Sequence, residues 1–184
     1  MAQKLKIEKE AGQIEKWMMD ALLALMEEKS YGDIRVKEIS DRAQLARCTF
    51  YRYYNSKDEL LLRCCQVRAN QLAQRMRQEN YYTFFGVSTA YFSFFLEEQN
   101  FFALLRRHDL LYFFVRCYDD LMFDVARAVK RENHEKCAVD FSQKARFHFL
   151  YGMHGLWGMA DNWLRNGCQE TPEELAQYIT AYLV

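Results

Sequence analysis

"RAQLARCTFYRYYNSKDELL", residues 42–61, gathers Arg42, Arg47, Arg52 and Lys57 with four aromatic residues, Phe50, Tyr51, Tyr53 and Tyr54. A buried helix would exclude the arginines, and an ordinary solvated face has little use for the rings. The pattern on either side resolves the conflict. Residues 36–43 read as a short helix with Val36, Ile39 and Ala43 inward, Gln44-Leu45 turns the chain, and residues 47–54 read as a second short helix. Before them Ile7, Ala11, Ile14, Met18, Ala21 and Leu25 recur at three or four residues, the spacing of an amphipathic helix, which should stop near Ser30-Tyr31-Gly32 with Gly32 in a left-handed end conformation. Two short helices joined by a tight turn and backed by a third describe a helix-turn-helix. On the second short helix Phe50 and Tyr54 share one face and can pack inward, leaving Arg47, Cys48, Tyr51 and Arg52 for a groove.

Charge supports that assignment. From residue 34 to 57, six cations (Arg35, Lys37, Arg42, Arg47, Arg52, Lys57) stand against Glu38 and Asp41, giving +4 inside a chain of zero formal net charge. From residue 140 to the end, three cations against five acids give −2. A basic module beside an acidic one is the electrostatic footprint of a DNA reader joined to a domain that does not touch DNA.

The rest of the chain reads as helices with legible punctuation, about nine in all and no strand: an all-α fold. Ser56 and Glu59 have the form of a capping box opening a long helix to about residue 80. Residues 84–99 and 100–107 follow as two helices. Asp109 is placed to cap a helix running to about residue 131, residues 133–139 form a polar connection, and Asp140 with Gln143 suggests another box. That helix should end at Asn166-Gly167. Thr171-Pro172-Glu173-Glu174 combines a cap, a first-turn proline and acids at the positive end of the helix dipole.

With 184 residues, 51% hydrophobic and a single proline, the chain can bury a sound core and is no disordered tail. No apolar run approaches the roughly 20 residues that span a bilayer, and the first residues lack the apolar centre of a signal peptide, so a cytoplasmic location is expected. The six cysteines form no CxxC pair and the four histidines, 108, 134, 148 and 154, show no chelating spacing of three or four. No metal or other cofactor is expected. No spacing supplies a nucleophile, base or metal set, and the enzyme class is set aside.

"IRVKEISDRAQLARCTFYRYYNSKDELL", residues 34–61, resembles the DNA-binding segment of the TetR family of transcriptional regulators, with matches at Val36, Ile39, Ala43, Thr49, Phe50, Tyr51, Tyr53, Ser56, Lys57, Glu59 and Leu60. "FLYGMHGLWGMADNWLRNGCQETPEELAQYI", residues 149–179, is similar to the last two helices of a branch of that family common in Firmicutes. The departures are Gln44 at the usual turn glycine, Ala46 at the usual Ser or Thr cap, Arg35 at the usual opening Thr, and Cys48 at a position often held by Gly.

The resemblance implies a helix-turn-helix domain over residues 1–57 and a helical effector-binding and dimerisation domain over 58–184. It implies a ligand-responsive regulator, a repressor in the first instance, binding a palindromic operator in double-stranded DNA as a homodimer. An activator, or a protein-binding relative with altered or lost DNA binding, is the alternative that the changed caps keep open. Thr49, Tyr51, Tyr53 and Lys57 would hold phosphates, and Lys37, Arg47, Cys48 and Arg52 would be candidates for base edges.

Gly152, Gly155 and Gly158 sit three apart in one helix, where each costs about 1 kcal/mol relative to Ala. Either a second subunit approaches there, or the glycines make room for Phe149, Trp157 or Trp163 of the same subunit. The aromatic excess between residues 84 and 123 is either plain core or, as the resemblance implies, the lining of a cavity for an unidentified small-molecule effector, with Tyr91, Arg116, Tyr118, His148, Tyr151 and His154 as candidate polar contacts.

Overall fold

Met18, Ala21, Leu22, Leu25 and Met26 line one stripe of the first helix, α1 (Ala2–Glu28), and all five are buried. Apolar residues three and four apart share a helix face, so this stripe is what gives the flanking segments something to pack on. The structure, a computed structural model, describes residues 2–78, 84–118 and 143–181. Among them the chain is helical and contains no strand. After α1 come a 3-10 turn (Tyr31–Asp33), α2 (Val36–Arg42), α3 (Arg47–Tyr53), α4 (Lys57–Gln78), α5 (Phe84–Glu97), α6 (Gln99–Arg107), a helix α7 described over residues 111–118, α8 (Gln143–Arg165) and α9 (Pro172–Ala181). No helix among the described residues is long and apolar enough to cross a membrane.

The chain divides into two compact units, Met1–Val67 with Leu104–Phe114, and Arg68–Ala103 with Val115–Val184. The first holds the helix-turn-helix. It continues past residue 57 because Leu60, Leu61, Cys64 and Cys65 of α4 are fully buried, and Leu104, Leu105, Leu110, Phe113 and Phe114 add to the buried set. In the second unit α5 packs against α9 and α8. Its core is aromatic: Phe95 lies 4.8 Å from Phe102 and 5.6 Å from Trp157, ring centre to ring centre, and Phe92 meets Trp163 edge-on at 5.9 Å. Such tilted and edge-on pairs add roughly 0.5–1.5 kcal/mol each beyond their buried area. The Trp163 indole N–H is satisfied by the Glu170 carbonyl at 3.1 Å.

The helix starts follow the side chains that signal them. Thr171 Oγ1 accepts from Glu174 N–H at 3.2 Å while Glu174 accepts from Thr171 N–H at 2.7 Å, a complete capping box. Ser56 caps Glu59 N–H at 3.2 Å, but the Glu59 carboxylate turns to the Asn55 backbone and side chain instead of closing a box.

Two expected helix ends are corrected. Gly32 is not in the left-handed region; α1 ends at Glu28 and Gly32 belongs to the 3-10 turn. Asp109 does not open a helix. It has φ 58° and closes α6: its N–H bonds Arg106 O at 3.1 Å, and Leu110 N–H reaches back to Leu105 O at 2.8 Å. A left-handed residue followed by a long backward bond is the usual way to satisfy terminal carbonyls, and Asp tolerates it better than most. The expected end of α7 near residue 131, the connection 133–139 and the cap at residue 140 lie outside the described residues.

Candidate nucleic-acid interface

The turn between α2 and α3 is built on Gln44. It adopts φ 55°, Gln44 N–H bonds Asp41 O at 3.2 Å, and Leu45 N–H bonds Ser40 O at 2.9 Å. Outside glycine this conformation costs about 1–2 kcal/mol. Gln44→Gly should therefore raise the stability of the protein by roughly 0.5–1 kcal/mol after the added freedom of the unfolded chain is counted, or about 2–3 °C in Tm. A thermal melt checks it, and a lower Tm would mean that the Gln44 side chain makes contacts worth more than the strain.

α3 has two faces. Phe50 is fully buried and Tyr54, which follows the helix, is nearly so. The Tyr54 hydroxyl donates to Glu15 of α1 at 2.6 Å, and Glu15 also takes both Nε and an Nη of Arg63 from α4, at 2.9 and 3.0 Å. One carboxylate thus ties α1, α4 and the end of α3 together. Arg63's hydrogen bond, aided by Tyr54 and opposed by burial, holds the Glu15 carboxyl below the usual carboxylate range. Burial and Glu15 push the Tyr54 phenol up, so it stays a donor.

The outer face carries Arg47, Cys48, Tyr51 and Arg52, all exposed, with Thr49 and Tyr53 half-buried and Lys37 exposed on α2. Arg47 lies 5.4 Å above the Tyr51 ring and donates to its hydroxyl at 3.2 Å. Arg52 lies 5.9 Å from the Tyr53 ring and reaches Thr49 Oγ1 at 3.5 Å. These contacts order the cations without neutralising them. Ala46 precedes α3 with no side-chain cap bond, and Arg35 precedes α2 with only its backbone N–H capped, by Glu38 at 2.9 Å.

Two of the six cations counted in the sequence are used internally. Arg42 forms a two-pronged pair with Glu28, at 2.5 and 2.8 Å. Lys57, expected at a phosphate, donates to the carbonyls of Tyr31, Gly32 and Ile34 at 2.6, 3.0 and 2.9 Å and lies 4.6 Å from the centre of the Tyr31 ring. Three bonds engage all three N–H groups of its ammonium. Its place is beneath the turn that leads into α2.

Residues named from sequence for an effector are not all brought together. Tyr91 and Tyr118 meet in the buried core of the second unit, hydroxyl to hydroxyl at 2.9 Å, with Tyr118 OH reaching Met153 O at 3.4 Å. Burial and the neighbouring Tyr118 push the Tyr91 phenol well up. Arg116, Tyr151 and His154 are exposed, and the His148 side chain lies outside the described residues. Gly152, Gly155 and Gly158 are exposed, and beyond the chain neighbours a Cβ added at any of them meets none of the described residues within 4 Å. Glu15 was missed by sequence reasoning, although its position three before Met18 and seven before Leu22 sets an acid on the inward stripe of α1.

A basic, ordered outer face on a short helix, anchored from behind and entered by a tight turn, defines a helix-turn-helix DNA-binding protein. The family model "Bacterial regulatory proteins, tetR family" matches residues 18–64, and "Transcriptional regulator C-terminal region" matches residues 83–184. The chain belongs to the TetR family of transcriptional regulators. No curated protein sequence matches it.

Several solved structures share the fold. Among them are the dihydroxyacetone kinase operon activator DhaS (21% identity, TM-score 0.60, 92% of this chain and 93% of that chain), the fatty acid degradation regulator FadR from Bacillus halodurans (16%, 0.60, 90% and 92%), and the transcriptional regulator FadR from Bacillus subtilis in complex with stearoyl-CoA (16%, 0.63, 92% and 97%).

Proposed function

We propose that this protein is a cytoplasmic, ligand-responsive repressor that binds a palindromic operator as a homodimer. Residues 1–57 would serve as the DNA-reading domain and residues 58–184 as the effector and dimerisation domain. The observation that carries the reading is the unneutralised Arg47–Tyr51 pair on the exposed face of α3. Arg47, with Lys37, Cys48 and Arg52, would meet base edges, and Thr49, Tyr51 and Tyr53 would meet phosphates. An arginine fork fits the two acceptors of guanine in the major groove and is worth about 1–3 kcal/mol of discrimination.

Arg47→Ala should then lower affinity for a selected operator roughly 5- to 150-fold and relax preference at one position of each half-site. Selection from a random duplex library with both proteins checks it. An unchanged selected sequence and affinity would remove Arg47 from the interface.

The effector site would lie in the aromatic core around the Tyr91–Tyr118 hydroxyl pair, suiting a largely apolar molecule with one hydrogen-bonding group. The Bacillus subtilis neighbour is in complex with stearoyl-CoA, whose acyl chain is the kind of apolar group such a core would suit. DhaS is named an activator, so the sign of regulation has its own test, a reporter driven by the selected operator. Expression that rises with the protein present would replace repression by activation.

A further inference from the structure

The end of α1 is closed by a side chain from far along the sequence. The last carbonyls of an α-helix have no partner within the helix. In α1 the Met26 carbonyl lies 2.8 Å from His108 Nε2. The same ring accepts the N–H of Tyr31, first residue of the 3-10 turn, at Nδ1 and 3.3 Å. Both partners are backbone groups of fixed polarity: a carbonyl only accepts and an amide only donates. The arrangement therefore requires a neutral imidazole with its proton on Nε2.

His108 sits in the turn after α6, 77 residues from Tyr31 and within the same compact unit. The rest of Tyr31 is held from α4, its hydroxyl by Asp58 at 2.6 Å and its carbonyl by Lys57. The turn so gripped ends at Asp33, and α2 begins at Val36. Whatever fixes the turn fixes the direction in which the chain enters the helix-turn-helix.

We propose that His108 is a positioning residue of the DNA-reading head, which bridges Met26 and Tyr31 and so holds α2 and α3 in their DNA-competent arrangement on α1. The inference rests on the reading of α3 as the DNA-contacting helix.

It carries a pH signature. The titratable and charged groups on the surrounding elements are Glu27 and Glu28 on α1, Lys29 just after it, Asp33 in the turn, Lys57 and Asp58 on α4, and Arg106, Arg107, Asp109 and Tyr112 beside His108 itself. Glu28 is paired with Arg42, Lys29 with Glu38, and Lys57 and Asp58 are bonded to the turn. A proton added at Nδ1 would face the Tyr31 N–H, donor against donor, and the bridge would open. DNA affinity is lost as pH falls.

The test uses the full chain and an operator duplex selected from a random library by the wild-type protein, with affinity read by fluorescence anisotropy between about pH 8 and about pH 5.5, across the range where histidine charges. His108→Ala should lose about tenfold or more in affinity at neutral pH. His108→Gln presents one donor and one acceptor at the end of its side chain, without a titrating proton, and should restore that affinity. The wild-type affinity should drop on acidification and the Gln variant's should hold. Wild-type affinity in the Ala variant, or matching pH profiles for wild type and Gln, would overturn the proposal. Should the Ala variant fail to fold, the wild-type and Gln profiles decide. A wild-type protein that selects no duplex at all would overturn the reading of α3 instead, and this inference with it.

Discussion

Gly155→Leu is expected to turn a dimer into a monomer and to cost about 100-fold or more in operator affinity. The argument starts from open space. At Gly152, Gly155 and Gly158 none of the described residues beyond the chain neighbours lies within 4 Å of an added Cβ, so packing among those residues does not call for the three glycines that weaken α8. The surface they share with Tyr151, 85% exposed, and Phe147, 60% exposed, would leave large rings in water unless something covers it. A groove left by glycines beside such rings admits another helix at close range, and a two-fold arrangement of two such helices is self-complementary. Leu at the centre of that groove would push the partner away. Within one subunit it should instead strengthen α8, since Gly costs about 1 kcal/mol in a helix interior. Sedimentation at micromolar concentration should therefore show a monomer whose helicity by circular dichroism matches the wild type. A palindrome read by two recognition helices loses most of its affinity when they are no longer tied together. A Gly155→Leu protein that remains a dimer, or a wild type that sediments as a monomer, would refute the interface.

Lys57→Met should destabilise the protein by about 2–3 kcal/mol, or roughly 5–10 °C in Tm. Methionine keeps the length of the side chain but leaves the Tyr31, Gly32 and Ile34 carbonyls without their charged donor. Bonds to a charged group are worth about 1.5–3 kcal/mol each when well shielded, and the half-exposed site reduces the sum. The salt dependence of DNA binding by the folded protein should stay the same. A lysine on a phosphate would behave oppositely: its loss would flatten the slope of log affinity against log salt by about one unit and leave the melt alone. Denaturation and a salt titration on one variant separate the two roles.

Those assignments show where the sequence is transparent. Signals acting over three or four residues come through: the Thr171–Glu174 box, the Ser56 cap, and the inward pair Phe50 and Tyr54. Each is a local relation that helix geometry dictates. The helix-turn-helix was legible for that reason, and with it the exposed residues of α3. The uses of Lys57, Arg42, Glu15 and His108 were not, because their partners stand 26, 14, 39 and 82 residues away and the backbone carbonyls among them carry no side-chain signature. Asp109 misled because Asp is at home both before a helix and, left-handed, after one. The effector candidates mixed buried and surface residues since helical spacing does not say which of the rings face inward: Tyr91 is fully buried and Tyr151 is exposed.

Gln44 and Asp109 close α2 and α6, and Cys168 follows Gly167 at the end of α8, all three in a conformation that glycine would adopt more cheaply. Each holds about 1 kcal/mol in reserve, recoverable by one amino-acid change that leaves the DNA face, the aromatic core and the glycine surface untouched. Retuning an effector pocket means carving a packed core, and each carved methylene erodes stability. A lineage that can regain ground at three helix ends can accept such losses in succession, so this fold has room to drift towards new ligands before it stops folding.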